Sequence, residues 1–529
     1  MAPERPPLVH QILERAAAEE PEREWLRFTD AGTHTLAELL TRVRAIASGL
    51  QERGVAKGDR VAIMAANRVE FVESWFAAQM VGAIAVPVNV AMRGEVLAHV
   101  LDLVEPRLIV IELQYLGRLR DAVGGCEYLR TVAVLNLGEG VPAEWPAALP
   151  YERLRSSEEP AAVAIDHTEA CSIMYTSGTT GPSKGIVWIH GSTWQMIETP
   201  RRAMGYGPGD VIYACLPLFH ATALIVSMLM SLAAGARIVI APRFSVSRFW
   251  TEVVESGATG TAFLGAMTQL LIGAEPSPMD RAHSLRTAMM VPARPEDREV
   301  FRRRFGLEVV ESYGLTDYGW LSWPQAGEQV PPGSVGRPHE SFEVRLVDEH
   351  DQEVAVGETG EIVARQRHPW TAPIGYWGMP EETLASRRNL WFHTGDLMRR
   401  DEQGYLYFVD RGKDAMRRRG ENVSSFEVEK AVCRHPAVAE CAAYAISSEF
   451  SEDEIAVAVT LHGSGTLAAA ELIAASEGSL PYFAVPRYVR FVEALPKTQT
   501  EKVRKDVLRS EAVTADTWDR EVAGYEVSR

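Results

Sequence analysis

The chain has 529 residues, 46% of them hydrophobic and 24% charged, enough to bury a large core and to divide into more than one domain. Its formal net charge of −17, from 54 basic and 71 acidic residues, excludes a dedicated nucleic-acid binder, which needs a dense basic surface. The five cysteines (Cys126, Cys171, Cys215, Cys433 and Cys441) are scattered, with no CxxC pair and no histidine at metal spacing, and read as small hydrophobes in a reducing compartment.

The N-terminal segment lacks the apolar core of a signal peptide, which points to the cytoplasm. Thr35-Leu-Ala-Glu38 has capping-box spacing and opens a helix running toward Leu50 and ending near Gly54. Arg60–Met64 reads as a buried strand, Phe71–Met80 as a helix, and Ala83–Val86, Leu108–Ile111 and Thr131–Leu135 as further strands. The alternation resumes from Val211 through Ala262 and predicts α/β layers with largely parallel sheets. Ala221–Ile240 is the most apolar stretch, but Gly235 and Arg237 make it a helix followed by a strand rather than a membrane span. Beyond about residue 335 the texture changes: Val344–Val347, Gly360–Ala364 and Tyr405–Phe408 suggest antiparallel strands in a β-rich subdomain, about 335–412. The basic stretch Arg411–Arg419, then a helix at Ser425–Cys433, marks a boundary. The expected architecture is thus a large α/β N-terminal domain over 1–412 and a small α+β C-terminal domain over 413–529.

The strongest local signal is Tyr175-Thr-Ser-Gly-Thr-Thr-Gly-Pro-Ser-Lys-Gly185, directly after an apolar strand at Cys171–Met174. Gly178, Gly181 and Gly185 free backbone N–H groups to converge on an anion. Thr176, Ser177, Thr179 and Thr180 add hydroxyl donors, and Lys184 adds a positive charge. This is a phosphate cradle by composition, distinct from a Walker loop because Gly185 follows the lysine.

The segment resembles the signature loop of the adenylate-forming superfamily, which includes acyl-CoA synthetases, luciferases and nonribosomal adenylation domains. Four further stretches match that family in order and spacing: Glu311-Ser-Tyr-Gly-Leu-Thr-Asp317, Trp391-Phe-His-Thr-Gly-Asp396, Asp410-Arg-Gly-Lys-Asp414 and Pro496-Lys-Thr-Gln-Thr-Glu-Lys502. The ending Thr-Glu-Lys is similar to the carnitine/crotonobetaine-CoA ligase group. The resemblance implies an acyl-CoA synthetase that activates a carboxylic acid with ATP, leaving AMP, and passes the acyl group to coenzyme A with the help of Mg2+. It also implies that the C-terminal domain is mobile and rotates between the two half-reactions.

The resemblance implies these roles. Lys502, Thr176 and Lys184 act in catalysis, Lys502 by bridging carboxylate and phosphate oxygens as charge develops. Ser177, Gly178, Thr179, Thr180, Glu311, Ser312, Tyr313, Thr316, Asp396 and Arg411 hold the nucleotide, with Tyr313 facing adenine and Asp396 the ribose. Asp317 helps to hold the metal, and Lys413 is the hinge. His220, Phe263, Gly265 and Gly314 line the acyl pocket, within or beside segments whose apolar character suits a bulky fatty, aromatic or terpenoid acid. Gly420, Phe483 and Arg487 meet CoA. Arg417–Arg419 is either a solvated face or a patch that steers CoA phosphates. A homodimer is the default assembly.

Three positions depart from the family pattern. Ala288–Pro295 has no glycine where bare backbone usually approaches adenine. Asp317 replaces a glutamate and withdraws the carboxylate by one methylene, and Glu501 replaces a glycine beside Lys502. These departures leave two other readings: transfer of a preformed acyl-adenylate, supplied by a partner adenylating enzyme, to CoA, and a catalytically dead nucleotide-binding sensor.

Overall fold

Short apolar runs bounded by turn residues form the strands, and the periodic stretches between them form helices. The computed structural model describes residues 5–123, 128–137, 145, 148–176, 183–291, 295–324, 328–411, 415–419, 421–448, 452–462, 467–497 and 503–527. The helix Leu36–Glu52 starts as its spacing predicts. Thr35 Oγ1 accepts from Glu38 N (3.2 Å), and Glu38 Oε2 accepts from Thr35 N (2.9 Å), closing a capping box. Its inward face buries Leu39, Val43, Ile46 and Leu50.

The large domain holds two seven-stranded sheets. One runs, in spatial order, Ala148–Pro150, Thr131–Leu135, Leu108–Glu112, Arg60–Met64, Ile84–Pro87, Ala170–Thr176 and Lys184–Ile189. All its pairings are parallel except the last, an antiparallel hairpin with Thr176 opposite Lys184. The other runs Val309–Val310, Thr287–Val291, Gly260–Leu264, Val211–Ala214, Arg237–Ile240, Glu24–Phe28 and Gly32–Thr35. Its pairings are parallel up to the terminal Glu24–Phe28/Gly32–Thr35 hairpin. That hairpin is absent from the sequence expectation. Its two strands are too short for a clear period, and its partner Arg237–Ile240 lies far away in the chain.

Ala221–Ile240 is a helix and then a strand, as expected: a π-helical segment Thr222–Leu229 passes into Met230–Ala233 and the strand Arg237–Ile240. No helix among the described residues is long and apolar enough to cross a membrane. Phe342–Val347, Thr359–Gln366, Phe392–Arg400 and Leu406–Arg411 form an antiparallel four-stranded sheet. Beyond it, the smaller C-terminal domain pairs Ala415–Arg418 with Glu421–Ser424. It then builds a four-stranded sheet from Val438–Ser447, Asp453–Leu461, Tyr488–Phe491 and Trp518–Asp519. A core of its own, including Val428, Val432, Ile455, Val457, Leu472 and Val485, fits a separate folding unit.

Candidate active site

The ends of the parallel strands, the antiparallel sheet and the C-terminal domain enclose one cavity of about 1150 Å3. In open α/β sheets, the carboxyl ends of strands are where ligands bind. The Ala170–Thr176/Lys184–Ile189 hairpin brings Lys184 to the cavity wall. Gly185 lies within this hairpin, and its bare Cα serves packing. A Cβ there would stand 2.8 Å from Ile173 Cγ2 and 3.2 Å from Tyr175 Cζ. Of the four cradle hydroxyl residues, only Thr176 is described, and only by its backbone; Ser177, Gly178, Thr179, Thr180 and Gly181 lie outside the described residues, as do Lys413, Gly420 and Lys502.

Residues 374–377 lace onto this hairpin. Val187 N donates to Gly375 O (2.9 Å), Ile374 N to Val187 O (3.1 Å) and Trp377 N to Gly185 O (2.7 Å). The lacing sets Tyr376 between two charged groups. Its hydroxyl donates to Asp317 Oδ1 (2.7 Å), and its ring centroid lies 4.8 Å from Lys184 Nζ. Burial, then the neighbouring Asp317 carboxylate, pushes the Tyr376 phenol well above its ordinary range, so it remains a donor at neutral pH.

Glu311, Ser312, Tyr313, Gly314, Thr316 and Asp317 all reach the cavity wall. Tyr313 Oη donates to Asp396 Oδ2 (2.7 Å), joining the aromatic motif to the Thr-Gly-Asp turn. That turn is held by Thr394 Oγ1 donating to Ile362 O (2.8 Å), Gly395 N to Glu361 Oε1 (2.8 Å) and Asp396 N to Thr394 Oγ1 (3.1 Å). Gly395 adopts φ 77°, a left-handed conformation that glycine takes without strain. Only the backbone of Arg411 is described, paired in register with Asp396.

The apolar wall includes Phe219, Val226, Leu264, Met289, Val291 and Trp320. Gly314 lets Trp320 pack close: a Cβ there would stand 2.5 Å from Trp320 Cε3. Phe263, expected in this wall, points the other way. Alternation along Gly260–Leu264 puts its ring in the core, 5.6 Å from Phe249 and 5.0 Å from Phe301, and Leu264 reaches the cavity instead. Gly265 begins the helix Gly265–Gly273, directly after Leu264.

His220 is in the wall, with its Nε2 2.7 Å from Oε1 of Glu421 in the C-terminal domain, an oxygen that also accepts from Asn89 Nδ2 (3.3 Å). Phe483 reaches the cavity from the same domain. Arg487 does not. It is tied to Asp519 (3.0 Å), Glu521 (3.1 Å) and Glu454 (3.6 Å), so its charge is spent inside the C-terminal domain. Within Arg417–Arg419, Arg417 lines the cavity and Arg419 is exposed beside Tyr482, but Arg418 is buried. Its guanidinium lies 2.8 Å from Glu454 and donates to Val485 O (3.0 Å), and burial pulls its pKa down to about 10.

Sequence reasoning missed Tyr376, Ser183, Trp320, Glu421 and Glu427. The Gly-Tyr-Trp-Gly run at 375–378 carried a turn signal, whereas Glu427 was disguised as an ordinary helix-start glutamate.

The sequence matches the family described as AMP-binding enzyme over residues 13–377, and that family's C-terminal domain over residues 427–502. The chain belongs to the AMP-binding enzyme family. It is therefore an adenylate-forming ligase by family. A crotonobetaine/carnitine–CoA ligase of Salmonella paratyphi A is 29% identical over 488 residues, covering 89% of this chain and 92% of that protein. Among solved structures, o-succinylbenzoate CoA synthetase of Bacillus subtilis, bound with a product analogue, has a TM-score of 0.82. It is 24% identical, and the match covers 96% of this chain and 99% of the other. An amide bond synthetase of Marinactinospora thermotolerans also has a TM-score of 0.82, with 23% identity and coverage of 94% and 99%. These two likenesses are likenesses of fold.

Proposed function

We propose that this family member is an AMP-forming acyl-CoA synthetase that converts a bulky hydrophobic carboxylic acid to its CoA thioester. One observation carries the reading: a single cavity wall holds the Tyr313–Asp396 pair, the Lys184–Tyr376–Asp317 group and the apolar Phe219, Leu264 and Trp320. The first suits a nucleoside, the second a polyphosphate and the third an apolar acyl chain. The CoA acceptor is taken from the relatives named CoA ligases.

In the first half-reaction, a carboxylate oxygen of the acid bonds to the α-phosphorus of ATP and the bond to pyrophosphate breaks. Lys184 is suited to hold the departing phosphate charge, and Lys502 is assigned the same work at the reacting oxygens. Asp317, one carboxylate on the wall near Lys184, suits Mg2+, which takes one or two carboxylates together with substrate phosphates and would offset charge there. In the second half-reaction, the CoA sulfur gives up its proton, bonds to the acyl carbon, and AMP leaves. Asp396 holds the ribose through both steps, its orientation fixed by Tyr313.

A second reading is favoured by Met289 and Val291, which put side-chain bulk in the wall where bare backbone was expected. On that reading, the chain transfers a preformed acyl-adenylate, supplied by a partner enzyme, to CoA. The test is pyrophosphate release from ATP and Mg2+ across a panel of hydrophobic acids, beside thioester formation from synthetic acyl-AMP and CoA. Pyrophosphate and thioester from one acid establish the ligase. Thioester from acyl-AMP alone establishes the transferase, and silence in both assays sinks the two together.

A further inference from the structure

The C-terminal helix Ser425–Val432 sends a carboxylate across to the large domain. Glu427 Oε1 accepts from Ser183 N (2.9 Å) and from Ser183 Oγ (2.7 Å), both in the large domain. Ser183 is 1% exposed, adjoins Lys184 at the cavity wall, and its carbonyl lies 3.0 Å from His99 Nε2. Burial raises the Glu427 carboxyl above its ordinary range, against the opposing pull of Ser183, His99 and Lys430. A carboxylate in that position is costly unless its partners hold it well.

The helix has a cheaper use for this residue. Ser424 Oγ accepts from Glu427 N (3.4 Å), as an N-cap does. The same spacing would let the glutamate fold back on the cap residue. Instead it crosses to Ser183. A backbone N–H and a hydroxyl beside a lysine are donors that a phosphate oxygen uses equally well.

We propose that Glu427 is a positioning residue that stands in for a phosphate oxygen on Ser183, so that docking of the C-terminal domain through it and binding of pyrophosphate at Ser183 exclude one another. The proposal rests on the synthetase reading and adds a device to it. While ATP or pyrophosphate occupies the Ser183 and Lys184 donors, the Glu427 carboxylate meets like charge and this docked arrangement is disfavoured. Once pyrophosphate leaves, the bare donors draw Glu427 in and the domain settles for thioester formation. Linkage makes the effect reciprocal: docking weakens pyrophosphate by the same factor by which pyrophosphate weakens docking, so a change that loosens docking tightens pyrophosphate.

The experiment uses the full chain and two separate readouts. Pyrophosphate binding is measured by calorimetry, and thioester formation is followed from synthetic acyl-AMP and CoA. Glu427→Ala removes the acceptor of two hydrogen bonds. It is expected to tighten pyrophosphate about 10-fold and to slow the thioester step by a similar factor. Glu427→Gln keeps an acceptor without the charge and shifts both readouts in the same directions by less, so it serves if the alanine variant does not fold. A merely structural role would weaken both functions together. That outcome, or no change in pyrophosphate affinity, overturns the proposal. If the unmodified chain makes no thioester from acyl-AMP, the synthetase reading fails by itself, and the calorimetric comparison still decides the exclusion.

Discussion

Tyr376 answers two charges at once, with its hydroxyl on Asp317 and its ring face toward Lys184. Tyr376→Phe removes only the first of these, so it isolates the support given to Asp317. A hydrogen bond to a charged group contributes about 1.5–3 kcal/mol. Acid-dependent pyrophosphate release should therefore fall by roughly 10-fold or more, with a higher Mg2+ concentration needed for half-maximal rate, while thioester formation from acyl-AMP changes little. Equal losses in both half-reactions would show that Tyr376 supports the fold and not Asp317. At this scale the sequence was most informative where a residue sits in a dense motif. Tyr313, Thr316, Asp317 and Asp396 all reach the cavity. It was least informative where strand alternation decides which side chain faces in, as with Phe263 and Leu264. It was also silent on charge balance: nothing in the local sequence of Arg487 announces Asp519, Glu521 and Glu454 around it.

Among the elements, the helix Val9–Glu19 depends on a neutral histidine. Val9 N donates to His190 Nδ1 (3.1 Å), and the His10 and His190 rings meet edge to face at 6.3 Å. Burial lowers His10 from 6.5 to about 4. It lowers His190 to about 3, with His10 and His167 adding to the depression and Asp166 opposing it. Glu14 Oε2 lies 3.9 Å from His10 Nε2. Both folded values lie below the unfolded one, so the unfolded chain takes up protons first as pH falls. The stability these rings contribute is complete above pH 6.5 and is lost on descending from 6.5 toward 4. Each proton is worth about 1.4 kcal/mol per pH unit in that window. His190→Gln, which keeps an acceptor for Val9 N–H, should flatten the fall in melting temperature between pH 7 and 5. An unchanged slope would move the effect to other groups. The sheets themselves were legible because buried parallel strands read as short apolar runs. The Glu24–Phe28/Gly32–Thr35 hairpin was not, since its placement rests on a distant partner.

For the whole molecule, the decisive feature is that the C-terminal domain meets the large domain at this cavity through polar contacts. Glu95 faces Lys430 at 2.7 Å and also pairs with Arg434, both on or next to the Ser425–Val432 helix. His220 and Asn89 meet Glu421, and Ser183 meets Glu427. The domain rotation proposed above is better served by such contacts than by a large apolar face, whose separation would expose hydrophobic area. The antiparallel sheet was legible from the change of texture after residue 335, and the C-terminal domain was read from the basic stretch Arg411–Arg419. The pairing of the two domains' faces was not legible, because no local pattern links Glu95 to Lys430. Exposed ion pairs contribute about 0–1 kcal/mol each and are screened by salt. Raising ionic strength from about 0.01 to about 1 M shortens the Debye length from about 30 to about 3 Å. The Glu95 pairs then lose most of their pull, whereas the buried Glu427–Ser183 contact is shielded. Thioester formation from acyl-AMP should slow by roughly 2–5-fold over that range, and Glu95→Gln should remove most of the salt dependence. A salt response that survives Glu95→Gln would place the electrostatics in CoA binding and not in domain docking.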